Sequence, residues 1–305
     1  MRVLLILLAL ISFLGCSRET ELHVGVHPWI GYQPINLAQQ NGLLPQNIHL
    51  VKNKTALQTK QQLLSGEINA GYLTLDEVLS LREQGKPLSV VLITDISSGA
   101  DKVLAKTPVT GKQDIIGKTI AYERGAVGDL LLYQFLKFYG VAKSEVVLKH
   151  IPFDKQSSFW KSGAADMIIT YDPVSTQIMR SGAQEVFNSS QIPEMIIDVL
   201  AVDSNVLEDA CSTIKQLVDA HFAGVSLIKD NFQESSYQIA DNLGFSHEEV
   251  LTSLGGITLP SREINLQMFG DNRFFEKTRE IALILKASGM LKSVPDKAVH
   301  TDQCL

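Results

Sequence analysis

The chain is constrained most by a strand-and-helix pattern that runs twice through it. Leu22-His-Val-Gly-Val26 alternates as a half-buried strand, and Pro28, Gly31 and Pro34 force a loop after it. Ile35, Leu37 and Ala38 then open a helix whose first turn tolerates Pro34 and which Gly42 closes. Strands over 48–51, 68–73 and 88–94 follow, separated by an amphipathic helix over 57–65 and one that begins at Thr74, where Thr74 and Glu77 have capping-box spacing. A β-α-β-α-β order requires a parallel sheet with right-handed crossovers. The plan recurs from Thr119, with strands over 119–122, 146–151, 167–170 and 185–187 and helices between them.

Two such units make two α/β lobes, which suits 305 residues. Lys102–Lys106 reads as a strand of the first crossing between lobes. The apolar run 196–202, broken only by Asp198, reads as the second. From Asn205 the pattern is helical and would brace the first lobe. The expected division is lobe 1 over 16–105 plus 202–305 and lobe 2 over 106–201, each a mainly parallel sheet flanked by helices.

The N-terminus is a separate element. Arg2 precedes an apolar run from Val3 to Leu14, shorter than the ~20 residues a spanning helix needs, and this fits a signal peptide over 1–15. Phe13-Leu-Gly-Cys16 resembles a bacterial lipobox, although leucine is more usual where Phe13 stands. The expectation is a chain lipidated at Cys16 and anchored to a membrane on the periplasmic side. There, Cys211 and Cys304 are an even pair in an oxidising compartment and are expected to bridge; two separate buried thiols are the alternative.

Composition and motifs exclude several classes. A net charge of −6 without a basic cluster argues against a nucleic-acid partner. The chain contains no nucleophile elbow, no His-Glu-x-x-His and no dinucleotide fingerprint, and Gly111-Lys112 lacks the upstream glycine of a phosphate loop. Its seven histidines are scattered without metal-ligand spacing. No catalytic residue, cofactor or metal is expected.

In open α/β sheets ligands bind beyond the carboxyl ends of the strands. Those ends carry Trp29, Tyr32, Thr74, Asp76, Ser98, Glu123, Asp172 and Asp198, the candidate ligand-binding set, with Ser97, Asp101 and Arg124 nearby. Thr74 and Asp172 also read as helix caps, and Glu123 as an exposed acid. Asp198 is the most informative, because a carboxylate within an apolar strand needs a partner or a ligand. Acids outnumber cations at these ends. That favours a small molecule carrying an amine or a protonatable ring nitrogen, held by charge-assisted hydrogen bonds and aromatic faces. The rival is an anion on the helix N-terminus at Gly125–Gly128; taurine would satisfy both.

Six ordered blocks carry a family resemblance: Gly31-Tyr-Gln-Pro-Ile-Asn-Leu-Ala, Thr74-Leu-Asp-Glu-Val-Leu79, Asp95-Ile-Ser-Ser-Gly-Ala-Asp101, Gly117-Lys-Thr-Ile-Ala121, Thr170-Tyr-Asp-Pro-Val174 and Ile192-Pro with Ile197-Asp-Val-Leu200. Together they resemble periplasmic substrate-binding proteins of the nitrate/sulfonate/taurine type. The resemblance implies a type II two-lobed periplasmic-binding-protein fold of class α/β. It also implies a monomeric lipoprotein that closes on its ligand by hinging, here near Lys106 and Ala201, and hands it to an ABC permease. A membrane sensor reading the same closure is the alternative partner. The same fold hosts an enzyme making a thiamine pyrimidine precursor, which needs a cysteine-rich, iron-linked motif that three dispersed cysteines do not supply.

Overall fold

The computed structural model describes residues 20–125 and 127–305. The leader expected over 1–15 and the lipidation of Cys16 lie outside the described residues. Among the described residues no helix is long and apolar enough to cross a membrane.

In chain order the elements are β1 Leu22–Val26, α1 Gln33–Gln40, β2 Ile48–Lys52, α2 Ala56–Ser65, β3 Ala70–Thr74, α3 Leu75–Glu83 and β4 Leu88–Ser97. The chain then forms β5 Lys102–Ala105, β6 Thr119–Tyr122, α4 Val127–Tyr139, β7 Val147–His150, α5 Phe153–Lys161, β8 Met167–Thr170, α6 Val174–Met179 and β9 Gln184–Asn188. It returns through β10 Ile197–Asp203 and ends in α7 Cys211–Asp230, α8 Phe232–Leu243, α9 His247–Gly255, β11 Ile257–Thr258, α10 Arg262–Gly270 and α11 Arg273–Ala287. Local signals set the boundaries. Thr55 caps α2 by accepting from the Gln58 amide at 3.3 Å, and Gly66 ends that helix in the left-handed region at φ 77°.

The strands form two mixed sheets. The first has the order β11-β4-β10-β3-β1-β2, and β10 runs antiparallel between β3 and β4. The second has the order β7-β6-β8-β5-β9, with β5 antiparallel to both its neighbours. In each sheet β1 or β6 pairs parallel with two strands, as the crossover pattern requires.

Sheet membership corrects the expected lobe boundaries. β5 was assigned to the end of lobe 1 and most of β10 to the end of lobe 2; their ladders place each in the other sheet. The chain therefore passes between sheets through 98–101 and 189–196, rather than near Lys106 and Ala201. Burial explains this: all seven residues of β10 are buried, as suits a strand paired on both edges and covered on both faces. β4 also runs past Thr94 to Ser97, because Asp95 stands opposite Asp198 in the ladder.

The C-terminal helices complete the first lobe. α7 packs on α1 so closely that a Cβ on Gly224 would lie 1.9 Å from the Pro34 carbonyl oxygen. β11 covers only the end of β4, and other groups satisfy the rest of that edge. The Asn265 side chain accepts from the Ile93 amide at 2.7 Å and donates to the Ile93 carbonyl at 3.1 Å. Val90 donates to the Val299 carbonyl and accepts from Thr301. This pairing shields an edge that would otherwise template association. A Cys211–Cys304 disulfide, with Cα atoms 5.4 Å apart, ties the tail to the start of α7.

The loop closed by that bridge is long, so its removal should be felt globally. Cys304→Ser is expected to lower unfolding stability by about 2–5 kcal/mol in urea melts of non-reduced protein. A midpoint unchanged from wild type would show that the tail is held without it.

Candidate functional site

The site is built where β1, β3, β4 and β10 of the first lobe face β6 and β8 of the second. After β1 the chain turns through Trp29 and a 3-10 segment, Ile30–Tyr32, and presents the Trp29 and Tyr32 donors inward. The Trp29 indole Nε1–H donates to Asp95 Oδ1 and Oδ2 at 3.1 and 3.3 Å, and the Tyr32 hydroxyl donates to Asp198 Oδ1. Gly31 makes this possible: a Cβ there would fall 1.9 Å from Asp95 Oδ2. Asp95 and Asp198, both fully buried, are direct cross-strand neighbours on β4 and β10.

Glu77 of the first lobe and Asp101 at the end of the first crossing complete the acidic wall. Glu77 accepts from the Thr74 amide at 3.1 Å through Oε2, leaving Oε1 without a partner. Asp101 follows the first crossing, and its Oδ2 is likewise unpartnered, as is Asp198 Oδ2. Lys60 of α2 reaches across the cleft to donate to the Gly125 carbonyl. From the second lobe, Tyr171 at the end of β8 packs edge-on against Trp29 with centroids 5.4 Å apart. Phe153 stacks on its other side at 4.2 Å, and the Phe153 amide donates to Glu123 Oε1 at 3.3 Å.

These groups enclose a cavity of about 20 Å³ between the lobes, lined by Trp29, Thr74, Glu77, Asp101, Tyr171 and Asp198, with His27, Ala56 and Val127. That is room for about one water-sized group. Two larger grooves, of about 220 and 330 Å³, open on the surface beside α4 and the end of α11. The smaller of the two is lined by Asp76, Asp129, Arg124 and Lys143 and carries no aromatic side chain.

Burial governs the electrostatics. It pushes the Glu77 and Asp95 carboxyls up to about 8, and Asp101 and Glu123 up to about 7. Asp198 is raised well above the ordinary carboxylate range, by burial first and then by Asp95. Burial also keeps His27 and His221 neutral, with pKa values lowered to about 3. Among the described residues no group of three or more His, Cys, Asp or Glu side chains is arranged to hold a metal.

Of the residues expected from sequence, Trp29, Thr74 and Asp198 line the cavity, and Tyr32 stands behind it, holding Asp198. Glu123 lines an adjoining cavity. Asp76 faces the 220 Å³ surface groove together with Arg124. Ser98 is exposed on the first crossing, its amide bonded to the Gly256 carbonyl at 2.8 Å. Both Asp172 oxygens are engaged: Oδ1 accepts from Ser175 and Thr176 and so caps α6, and Oδ2 accepts from Ser253 of the other lobe. The helix N-terminus weighed as an anion site is met by the chain itself, since Asp129 Oδ2 accepts from the Gly125 amide at 2.7 Å. Asp101, expected close to the set, lines the cavity, whereas Lys60, Glu77, Asp95 and Tyr171 were not among the expected ligand contacts. Asp95 and Asp101 bound a polar segment, and Tyr171 directly precedes Asp172; Glu77 reads from sequence only as a capping residue.

The two lobes around an interior cleft are those of the periplasmic-binding-protein fold. Residues 39–235, more than half of the chain, match the model of the family described as NMT1/THI5 like, and the chain belongs to that family. Among solved structures it is similar to the alkanesulfonate-binding protein SsuA from Xanthomonas axonopodis pv. citri bound to MOPS (17% identity, TM-score 0.75, covering 92% of this chain and 96% of that one). It is also similar to the periplasmic aliphatic sulphonate-binding protein SsuA from Escherichia coli (16%, TM-score 0.67, 86% and 94%). The periplasmic nitrate-binding protein NrtA from Synechocystis PCC 6803 is a further neighbour (12%, TM-score 0.66, 88% and 86%). No curated protein matches the sequence.

The raised carboxyls set a pH dependence. The folded protein holds protons on Glu77, Asp95, Asp101, Glu123 and Asp198 that the unfolded chain has released, so stability falls as pH rises through their folded values. Below about 6.5 the buried neutral His27 and His221 oppose this, because the unfolded chain gains protons there that the folded one refuses. The melting temperature of the protein without added solute is therefore expected to drop between pH 6.5 and 8. A flat or rising profile across that window would mean that these acids are not protonated in the closed cleft.

Proposed function

We propose that this chain is an extracytoplasmic solute-binding lipoprotein that closes on a small, positively charged molecule and delivers it to an ABC permease. The observation that carries this is the interior cavity between the lobes, where Glu77, Asp101 and Asp198 each keep an unpartnered, buried oxygen beside the rings of Trp29 and Tyr171. An amine or protonated ring nitrogen would supply both the missing donors and the missing charge, and would lie against aromatic faces. The work is capture, with no bond made or broken.

Closure has the parts it needs. The lobes join through 98–101 and 189–196, and Ser97 and Ser189 hydroxyls meet at 2.7 Å where the two segments pass. On the rim, Arg180 of the second lobe makes a two-point pair with Glu249 of α9, and Asp172 meets Ser253 on the same helix. Lys60 and the Gly125 carbonyl close the opposite side. Hinge motion about the crossings would break these contacts together and admit the solute.

In a thermal-shift panel, a cationic solute at ~100 times its dissociation constant should add ~2.7 kcal/mol of stability. Stabilisation by nitrate or an alkyl sulfonate, with none by any amine or nitrogen base, would refute the charge assigned to the cleft.

A further inference from the structure

The interior cavity has a neighbour. A second cavity, of about 10 Å³, lies on the side of the second lobe and shares Asp101, Val127 and Tyr171 with the first. Its own walls include Glu123 and Gln156, and both are buried. Glu123 Oε2 and Gln156 Oε1 have no hydrogen-bond partner. Lone buried acceptors therefore stand at two places, Glu77 and Asp198 in the first cavity and Glu123 and Gln156 in the second, with Asp101 in the wall common to both.

Each cavity has the size of about one water, which is also the size of an ammonium head. A primary ammonium has three donors, and the first cavity offers three lone carboxyl oxygens. Val127 and the ring of Tyr171 between the cavities suit methylene groups, beside the Asp101 carboxyl and the buried, unpartnered Tyr171 hydroxyl. The placement of the acids points the same way. Glu77, Asp101, Glu123 and Asp198 are all buried here, and Lys60, turned into the cleft, donates to the Gly125 carbonyl. Lys102, beside Asp101 in sequence, is committed to Glu185 and the Gly99 carbonyl. The lone acceptors are spread over two cavities rather than gathered around one ion, so a single ammonium reaches only one set of them.

We propose that the cleft takes a short dication with an ammonium group at each end, one held by Glu77, Asp101 and Asp198 and the other by Glu123 and Gln156. This rests on reading the cleft as a cation-capture site. The chain joining the two heads passes Tyr171, whose ring would be displaced from its packing against Trp29 and Phe153 to let it through.

Calorimetric titration of the full mature protein with diaminopropane, diaminobutane and diaminopentane, each against the monoamine of equal carbon number, tests it. At least one diamine is expected to bind about tenfold or more tightly than its monoamine, because a second charge-assisted pair is worth at least that factor. Glu123→Gln, which keeps the shape of the side chain, should remove most of that advantage; if the variant does not fold, the wild-type series decides alone. Equal affinities for monoamines and diamines would overturn the two-headed ligand and leave cation capture standing. Binding of a sulfonate or nitrate with no amine bound would overturn both.

Discussion

Carboxyl groups buried at the seam of two lobes set the terms for the rest of this structure. Asp95 and Asp198 stand side by side on β4 and β10, and Glu77, Asp101 and Glu123 close around the same seam. Transferring an ionised carboxylate out of water carries a penalty of several kcal/mol unless a countercharge and hydrogen bonds accompany it. Trp29 and Tyr32 supply two of those hydrogen bonds, and Gly31 exists as glycine so that Asp95 can approach. The remaining demand is met by protons, which is why these acids are shifted upwards together. A cationic solute would take the protons' place, so affinity for it should grow as pH removes the competitor.

The architecture delivers this seam economically. β10 is central in the first sheet and joins the second crossing, so Asp198 sits at the hinge and under the aromatic turn after β1. The C-terminal helices do two things: they cover the edge of β4 and, through α9, present Glu249 and Ser253 to the second lobe. α9 is therefore part of the clasp as well as of the first lobe. Similarity to sulfonate- and nitrate-binding structures at 12–17% identity shows the fold; the charge of the cleft is a property of this chain's own residues.

Much of the fold was legible because its signals are local. Strand period, glycine and proline punctuation and the capping box at Thr74 place most elements close to their observed bounds. Strand pairing is not local, and so β5 and β10 were assigned to the wrong lobes. The same limit applies to the site. Trp29, Tyr32 and Asp198 stood out because an indole in a Pro/Gly loop and an acid in an apolar strand are unusual for their surroundings. Glu77 had an adequate local explanation as a capping residue, and its second role appears only when Asp101 and Tyr171 are brought opposite it. Asp172 erred the other way: it lies at a strand end, yet its capping bonds and Ser253 use both of its oxygens. Asp95 falls just beyond the strand expected over 88–94, because its ladder partner, Asp198, lies about a hundred residues further along the chain.

The central claim is that the closed cleft holds protonated carboxyls that a cation displaces. Infrared spectroscopy of the protein alone at pH 6.5 reads this directly through the carbonyl stretch of protonated acids. The account predicts that such a band is present, that it weakens in Asp95→Asn and Asp198→Asn, and that saturation with a bound amine removes most of it. Absence of the band in the protein alone, or its persistence with an amine bound, would contradict the account.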